Sequence, residues 1–296
     1  MLRYLLLASL TVVGLAAPVS AQTFFSDNFN RATLGSPVPG PGGAYTSTAP
    51  AGSAVTVTGT VLQIANATGT NNDAFTVSTI PGYTTLSAVG RFLDFRFNFR
   101  SSVLPTGFNT GQFGVAVAIA ATSTNLNTAN GYAVVFGRNG SNAIELVSFS
   151  GGLDANANLT SIIATGSNPL GAGGTDFGSV RVTYSPSTNQ WQLFVRDDGT
   201  VGFTDPFTGS IPQVGGPTVN NTFVGSSVNQ IGAFYNYNTA GQTATFDNFT
   251  IVSVPEPTTW ALIGLGTAGL AGGVWRLRRK KAAILNSEVE INEAAE

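Results

Sequence analysis

The sequence contains neither cysteine nor histidine among its 296 residues. Without cysteine there is no disulfide, so the stability of the fold must come from buried apolar surface. Without histidine there is no Ser-His-Asp or Cys-His nucleophile system, no imidazole metal site and no histidine general base. The chemistry open to this chain is therefore carboxylate chemistry, oxygen-ligated metals, or no catalysis.

Charge is also scarce, at 9% of residues. Residues 22–253 contain no lysine, and seven arginines against ten carboxylates give a net charge near −3. Phosphate recognition needs clustered lysine and arginine, so no nucleic-acid partner is expected. Low charge with abundant Gly, Asn, Thr and Ser is also found in disordered chains. An apolar content of 43% with twenty phenylalanines nevertheless predicts a folded domain.

Residues 254–281 combine a polar tripeptide, an apolar stretch and a basic cluster. Residues 258–275 have no charge, and as a helix at ~1.5 Å per residue they span ~27 Å, close to the ~30 Å hydrocarbon core of a bilayer. Tryptophans lie near both ends, and the basic residues at positions 276–281 predict a cytoplasmic end. The preceding tripeptide has two prolines, which keep the chain extended.

This arrangement resembles the PEP-CTERM sorting signal of bacteria that make exopolysaccharide. The resemblance rests on the apolar helix together with Pro255, Glu256, Pro257, Arg276, Arg278 and Arg279. It implies that an exosortase, a membrane cysteine protease, processes the chain for the cell surface or extracellular matrix. The acidic tail at residues 282–296 departs from the signal, which usually ends soon after its basic cluster. An ordinary single-pass anchor is the alternative.

Residues 1–21 have the pattern of a secretory signal peptide. Arg3 supplies a positive n-region, residues 4–17 are an apolar h-region, and small residues up to Ala21 form a signal-peptidase site. Cleavage after Ala21 leaves Gln22 first. The two hydrophobic segments then bracket one exported domain of residues 22–253, which is long enough for a substantial core.

The domain has few helix signals. Short runs rich in Val, Ile, Thr, Phe and Tyr recur between Gly, Asn, Pro and Ser clusters, which predicts about a dozen strands. Residues 89–100 alternate strictly, so we expect a strand with one wet face and a core face of Leu93, Phe95, Phe97 and Phe99. Residues 53–66 predict a hairpin. Further strands are expected at residues 112–121, 131–137, 143–149, 178–184, 190–196, 230–237 and 243–252.

So many antiparallel strands must form two packed sheets. Several segments resemble the concanavalin A-like lectin/glucanase jelly roll, which includes laminin-G-like domains. They are residues 27–31, 131–136, the pair 180–184 and 191–195, and residues 244–249. The resemblance implies an all-β, two-sheet antiparallel sandwich. Such folds are used mainly for binding glycans or proteins, and in some branches for hydrolysing polysaccharides.

A polysaccharide hydrolase needs two carboxylates at a fixed separation. Glucanases of this fold have two glutamates and an aspartate at alternating strand positions. Here Glu145 is the only glutamate of the domain, with no carboxylate two or four residues away. We therefore expect no catalytic residues, and expect Glu145 on the solvent face of its strand. The aspartates before Gly199, Asp197 and Asp198, are expected in a hairpin turn rather than a cation site.

The triplet Asp-Asn-Phe occurs twice, beginning at Asp27 and at Asp247. In both places the aspartate shares alternation parity with phenylalanine, so both carboxylates are expected to point inward, on terminal strands that pair with each other. A buried carboxylate needs a partner. The candidates are Arg31, which we favour, and a structural Ca²⁺ held by both aspartates.

A sugar-binding surface needs exposed aromatic rings for stacking. Trp191 alternates with core residues and is expected inside, so the better candidates border Gly and Asn clusters: Tyr132, Tyr235 and Tyr237. Packing in the core or at an edge is nevertheless the commoner fate of such residues. On the wet face of their strand, Arg96 and Arg100 are expected either to meet an acidic polysaccharide or to pair with an aspartate of a neighbouring strand.

The sequence thus predicts an exported, non-catalytic binding or structural component of the bacterial surface or matrix, with glycan or exopolysaccharide as the preferred partner class. Its processing partners would be a signal peptidase and an exosortase, and it would need no cofactor. Two alternatives stay open: a carboxylate-based polysaccharide hydrolase or lyase, and a purely structural surface-coat protein.

Overall fold

Strands dominate the part of the chain that the computed structural model describes, which is residues 20–35, 41, 44–68, 72–171 and 173–254. The strands are β1 Gln22–Asp27, β2 Tyr45–Thr48, β3 Ser53–Thr58, β4 Val61–Asn66, β5 Asn72–Thr79, β6 Phe92–Ser101, β7 Gly114–Ala121, β8 Asn130–Phe136, β9 Ile144–Ser150, β10 Leu159–Ala164, β11 Phe177–Ser185, β12 Gln190–Gly199, β13 Gln213–Val219, β14 Gln230–Tyr237 and β15 Thr243–Val254. Short 3₁₀ helices lie at Ser87–Val89, Arg138–Gly140 and Asn156–Asn158.

The predicted processing segments lie largely outside these residues. Residues 1–19 of the signal peptide are not described, nor are the Pro-Glu-Pro tripeptide, the predicted helix at 258–275, the basic cluster and the acidic tail. In the described ranges, no helix has the length and apolar character needed to cross a membrane.

Two antiparallel sheets account for all fifteen strands. Sheet A has eight strands in the order β13-β12-β11-β6-β15-β4-β3, with β1 also paired to β15. Sheet B has seven, in the order β10-β9-β8-β7-β14-β5-β2. The prediction of an all-β protein with two antiparallel sheets is confirmed. The pairing of the terminal strands is confirmed as well, with Asp27 opposite Phe249.

The main core lies between the two sheets. On β6 the four alternating residues Leu93, Phe95, Phe97 and Phe99 are all buried, as the period-two pattern predicts. The ring of Phe99 meets that of Phe136 from sheet B edge to face, with centroids 5.8 Å apart. Aromatic packing of this kind holds the sheets together where no disulfide is available.

Sheet B is buried on both faces. Its central strands β7 and β14 have no exposed residue, and for β7 this agrees with a continuous apolar sequence. A second apolar cluster covers the outer face, and loops contribute to it Phe108, Leu126 and Leu153. The loops that contain Phe108 and Leu153 also position the candidate site described below.

The predicted hairpin at residues 53–66 is present as β3 and β4. Thr58 pairs with Val61, so the turn consists of the two residues between them. The first of these is Gly59, whose φ of +68° is a left-handed conformation that glycine adopts without steric cost.

The outer face of sheet A is less wet than the alternation predicts. Asp94 and Asn98 are buried, because the segment between β12 and β13 folds across this face. Asn98 Nδ2 donates a hydrogen bond of 3.0 Å to the carbonyl oxygen of Thr204, and Arg96 Nη1 donates one of 2.8 Å to that of Pro206. Expecting these polar residues in solvent was wrong because the sequence does not show which loop covers a face.

Candidate functional site

Asp27 is buried at the end of β1 and is paired with Arg31. The guanidinium donates two hydrogen bonds to the carboxylate, of 2.5 Å to Oδ1 and 2.8 Å to Oδ2. The backbone N–H of Phe29 donates a third, of 2.8 Å, to Oδ1. The prediction that Arg31 is the partner of this carboxylate is confirmed.

Asp247 does not join that pair, and the expectation that it points inward was wrong. A β-bulge interrupts the pairing of β15 with β6 between Asp247 and Thr250, and Asn248 within it has a left-handed φ of 54°. The extra residue reverses the alternation, so Asp247 lies opposite Asn98 on the outer face of sheet A. Burial, and then the negative charges of Asp27 and Asp205, raise the pKa of Asp247 to about 7.

Two further predictions about carboxylates need correction. Glu145 is buried rather than on a solvent face, since both faces of sheet B are covered, and Arg138 donates to it a hydrogen bond of 2.9 Å. Gly199 has a turn-like φ of +77°, but both aspartates lie within β12, which ends at Gly199. Asp198 accepts hydrogen bonds from Arg196 at 2.7 Å and from Ser179 at 2.6 Å. It therefore bonds to side chains of the strands on the outer face of sheet A and is not part of a turn.

The aromatic candidates for sugar stacking are in the core. Tyr132, Tyr235 and Tyr237 are fully buried, so core packing, the commoner fate of such residues, applies to all three and none of them offers a stacking platform. Trp191 is buried as expected, with its ring centroid 4.4 Å from that of Tyr132. The Tyr132 hydroxyl donates to Asn220 Oδ1 at 3.0 Å and accepts from the Phe223 N–H at 3.0 Å.

The two wet-face arginines have partners within the protein. Arg96 donates to Asp94 of its own strand at 2.9 Å, and Arg181 of β11 shares that carboxylate at 3.1 Å. Arg100 donates to the carbonyl oxygen of Thr175 at 2.8 Å, and its guanidinium lies 4.6 Å from the ring centroid of Phe177. Both arginines therefore bind intramolecular partners, although neither pairs with an aspartate of a neighbouring strand.

The structure instead brings together residues that the sequence did not single out. A cleft of about 190 Å³ is lined by Asn72, Asp73, Thr110, Asp154 and Asn236. The first two begin β5, and Asn236 lies opposite Asp73 near the end of β14. Thr110 and Asp154 come from the two loops over the outer face of sheet B. Every lining side chain is polar.

Hydrogen bonds within the protein hold these loops in place. Asn236 Nδ2 donates to the carbonyl oxygens of Gly107 at 3.1 Å and Asn109 at 3.3 Å. Asn156 Nδ2 donates to Gln112 Oε1 at 2.9 Å, which joins the second loop to the first. Gly107 has φ of +151°, and a Cβ there would meet the Gln112 side chain at 2.1 Å. The cleft is therefore formed before any ligand binds.

The cleft is rich in hydrogen-bond acceptors. Burial, and then the charge of Asp154, raise the pKa of Asp73 to about 7. Asp73 Oδ1 is buried and accepts no hydrogen bond from the described residues. Asp154 Oδ1 accepts one of 3.3 Å from Asn158 Nδ2. An unsatisfied buried acceptor costs free energy, so the cleft favours a ligand that brings a donor.

Metal binding has less support than hydroxyl binding. Oxygen atoms of Asp73, Asp154 and Asn236 are of the type that calcium prefers. Across the described ranges, however, no three or more Asp and Glu side chains are grouped so that they could hold a metal ion. This includes the neighbourhood of Asp27 and Asp247, where the structural Ca²⁺ was considered.

Taken together, these features define a two-sheet β sandwich with a preformed, acceptor-lined cleft at one end of sheet B. Residues 253–280 match the PEP-CTERM protein-sorting motif. The motif indicates export and sorting to the cell surface in bacteria, and the chain is therefore a PEP-CTERM-bearing β-sandwich protein. No protein with a curated description matches the sequence.

Several solved structures are weakly similar to the chain. A seed lectin of Lotus tetragonolobus has 12% identity and a TM-score of 0.47, over 80% of this chain and 100% of that one. Peanut lectin in complex with a 9-residue peptide has 14% identity and a TM-score of 0.46, over 79% and 98%. The VIP36 exoplasmic/lumenal domain, in a form bound to Ca²⁺ and Man3GlcNAc, has 7% identity and a TM-score of 0.46, over 71% and 85%. With TM-scores below 0.5, these likenesses carry no information about ligand or activity.

Proposed function

We propose that this protein is an exported, non-catalytic component of the bacterial cell surface or extracellular matrix that binds the hydroxyl groups of exopolysaccharide in the Asp73 cleft. The observation that supports this most directly is the buried, unsatisfied Oδ1 of Asp73 in a cleft lined only by polar side chains. Sugar hydroxyls are donors, and they bring no charge that would compete with the two carboxylates.

The sorting motif supports the location. We infer that a signal peptidase cleaves between Ala21 and Gln22 and that the predicted helix at 258–275 holds the chain in the inner membrane until an exosortase acts on the Pro-Glu-Pro signal. Mass spectrometry of the native product tests this. A mature chain that begins at Gln22 and lacks residues 260–296 is expected, and a product that keeps them would refute processing by an exosortase.

Binding is tested with a glycan array and the secreted protein. The variant Asp73→Asn keeps the shape of the side chain and removes its charge, so we expect affinity for a bound neutral glycan to fall about 10- to 100-fold, the range for a lost charged hydrogen bond. Asp247→Asn is the matched control, because that carboxyl also has a pKa of about 7 but lies in sheet A. Equal effects of the two substitutions would refute the cleft as the site.

A hydrolase is the second candidate, and one observation favours it. Glycosidases need two carboxylates whose pKa values differ, and burial beside Asp154 raises the pKa of Asp73 to about 7. Release of reducing ends that Asp73→Asn abolishes would establish catalysis.

A further inference from the structure

One arginine of the domain differs from all the others. Six of the seven donate a hydrogen bond to a carboxylate or a main-chain carbonyl oxygen: Arg31, Arg96, Arg100, Arg138, Arg181 and Arg196. Arg91 donates none to any residue that the structure describes, and forms no ion pair with one. It is only partly exposed. A guanidinium has five N–H donors, and no Arg91 nitrogen is among the described buried side-chain atoms without a partner, so these donors face solvent and are available to a ligand.

Arg91 lies on the wall of a pocket of about 640 Å³, which is within the ~300–1,000 Å³ range of small-molecule sites. This arginine pocket is at the opposite end of the sandwich from the Asp73 cleft. The pocket is lined by residues between β5 and β6 together with the start of β1 and the residue before β14. No aspartate or glutamate is among its described lining residues, so the charge of Arg91 is not compensated there.

The rest of the pocket is amphipathic. Its apolar wall includes Phe24 and Tyr83, whose rings pack edge to face with centroids 5.3 Å apart. Gly82 keeps this wall compact, because a Cβ there would lie 2.8 Å from the Phe24 ring. Side chains with hydrogen-bonding groups line the same space, among them Thr84 and Asn229. A sugar ring has a matching division between an apolar C–H face and polar hydroxyls.

We propose that the arginine pocket binds a carboxylated sugar residue, a uronate, with the Arg91 guanidinium donating two parallel hydrogen bonds to the carboxylate. Arginine suits this role because its planar fork matches the two oxygens of a carboxylate. This inference rests on the proposed function, because it assumes that the ligand is a glycan. It adds a second binding site and assigns it to acidic sugars.

The test compares binding of oligogalacturonate and of an uncharged glucan oligomer to the mature protein by calorimetry. The variant Arg91→Gln is expected to weaken oligogalacturonate binding about 10- to 100-fold, the range for a lost charged hydrogen bond, and to leave the glucan unchanged. Arg91→Lys keeps the positive charge but loses the planar fork of the guanidinium. Its affinity for oligogalacturonate should therefore lie between that of the wild type and that of Arg91→Gln. Because Arg91 has no partner in the described structure, neither variant should lower the melting temperature.

Arg181→Gln is the matched control, since it removes the same charge from the outer face of sheet A. Equal weakening by Arg91→Gln and Arg181→Gln would overturn the proposal, because the effect would then be one of net charge. Tighter binding of a sulfated than of a carboxylated glycan would overturn the assignment to a uronate. If the glucan binds through Asp73 but oligogalacturonate is indifferent to Arg91→Gln, this proposal fails and the proposed function stands. If neither glycan binds, both fail.

Discussion

Replacing Asp27 with asparagine should destabilise the fold strongly. The side chains of Asp27 and Arg31 are 0% and 6% exposed, so the pair is screened from water. Asparagine has the same shape, so no cavity forms and Oδ1 still accepts the Phe29 N–H. The change is therefore electrostatic, and it leaves the Arg31 guanidinium buried without a counter-charge.

The expected loss follows from that geometry. Removing one partner of a buried ion pair costs about 3–5 kcal/mol in free energy of unfolding. Arg31 has little to compensate it, because its Nε already lacks a hydrogen-bond partner among the described residues. For a domain of this size, about 2–4 °C of melting temperature corresponds to each kcal/mol, so the midpoint should fall by about 6–20 °C.

Urea unfolding of Asp27→Asn, followed by tryptophan fluorescence, measures this loss. The double variant with Arg31→Met removes both charges and is expected to recover most of the stability, because no buried charge is then left without a partner. A loss below about 1 kcal/mol for Asp27→Asn would refute the reasoning, given the range for buried pairs. A urea midpoint of the wild type that falls when a chelator is added would also refute it, because Asp27 would then be a cation ligand.

Two other predictions concern stability. The pKa of Asp247 is raised from 3.8 to about 7 in the folded state, so folding becomes less favourable as pH rises from about 4 to about 7 and the deficit persists above that. Asp247→Asn should raise the melting temperature at pH 8 and flatten its pH profile, and an unchanged profile would contradict the assignment. Tyr132→Phe removes a buried hydroxyl with two hydrogen bonds and leaves the Phe223 N–H without its acceptor. It should cost about 1–3 kcal/mol in urea unfolding, and a neutral effect would contradict this account.

Local sequence pattern was sufficient to locate several strands and to identify the residues that face the core. The alternation in β6 identified its core residues, and residues 230–237 were predicted as a strand with the bounds that β14 has. Both depend only on neighbours along the chain, because side chains point alternately to the two faces of a sheet. Trp191 was placed correctly for the same reason.

Most of the wrong predictions concern residues that are covered by segments distant in the sequence. Glu145 and Asn98 occupy positions that alternation assigns to solvent, but other segments of the chain cover both, and each has a hydrogen-bond partner. Asp247 was misplaced because a single left-handed residue, Asn248, reverses the parity of β15. Asparagine tolerates that conformation more readily than most residues, so the Asp-Asn-Phe repeat contained the signal for the bulge.

The Asp73 cleft was not predictable for a related reason. Asp73 and Asn236 are distant in the sequence and meet only because β5 pairs with β14. Polar residues that flank apolar runs were visible in the sequence, but such residues occur at the ends of many strands. The pairing of strands that are far apart in sequence decides which strand ends meet, and periodicity contains no information on it.

The same strand pairing relates the two proposed sites. β5 begins at the cleft with Asp73 and ends at the arginine pocket with Thr79, six residue steps later, so the sites are ~20 Å apart at ~3.3 Å per step. Substitutions this far apart act independently, so their free-energy effects on binding should add. A glycan chain longer than this distance that contains both neutral and uronate residues can occupy both sites, and the second contact is then intramolecular. Oligomers shorter than this distance cannot reach both sites. The affinity for the glycan should therefore rise with its chain length in the wild type, but not after Asp73→Asn or Arg91→Gln.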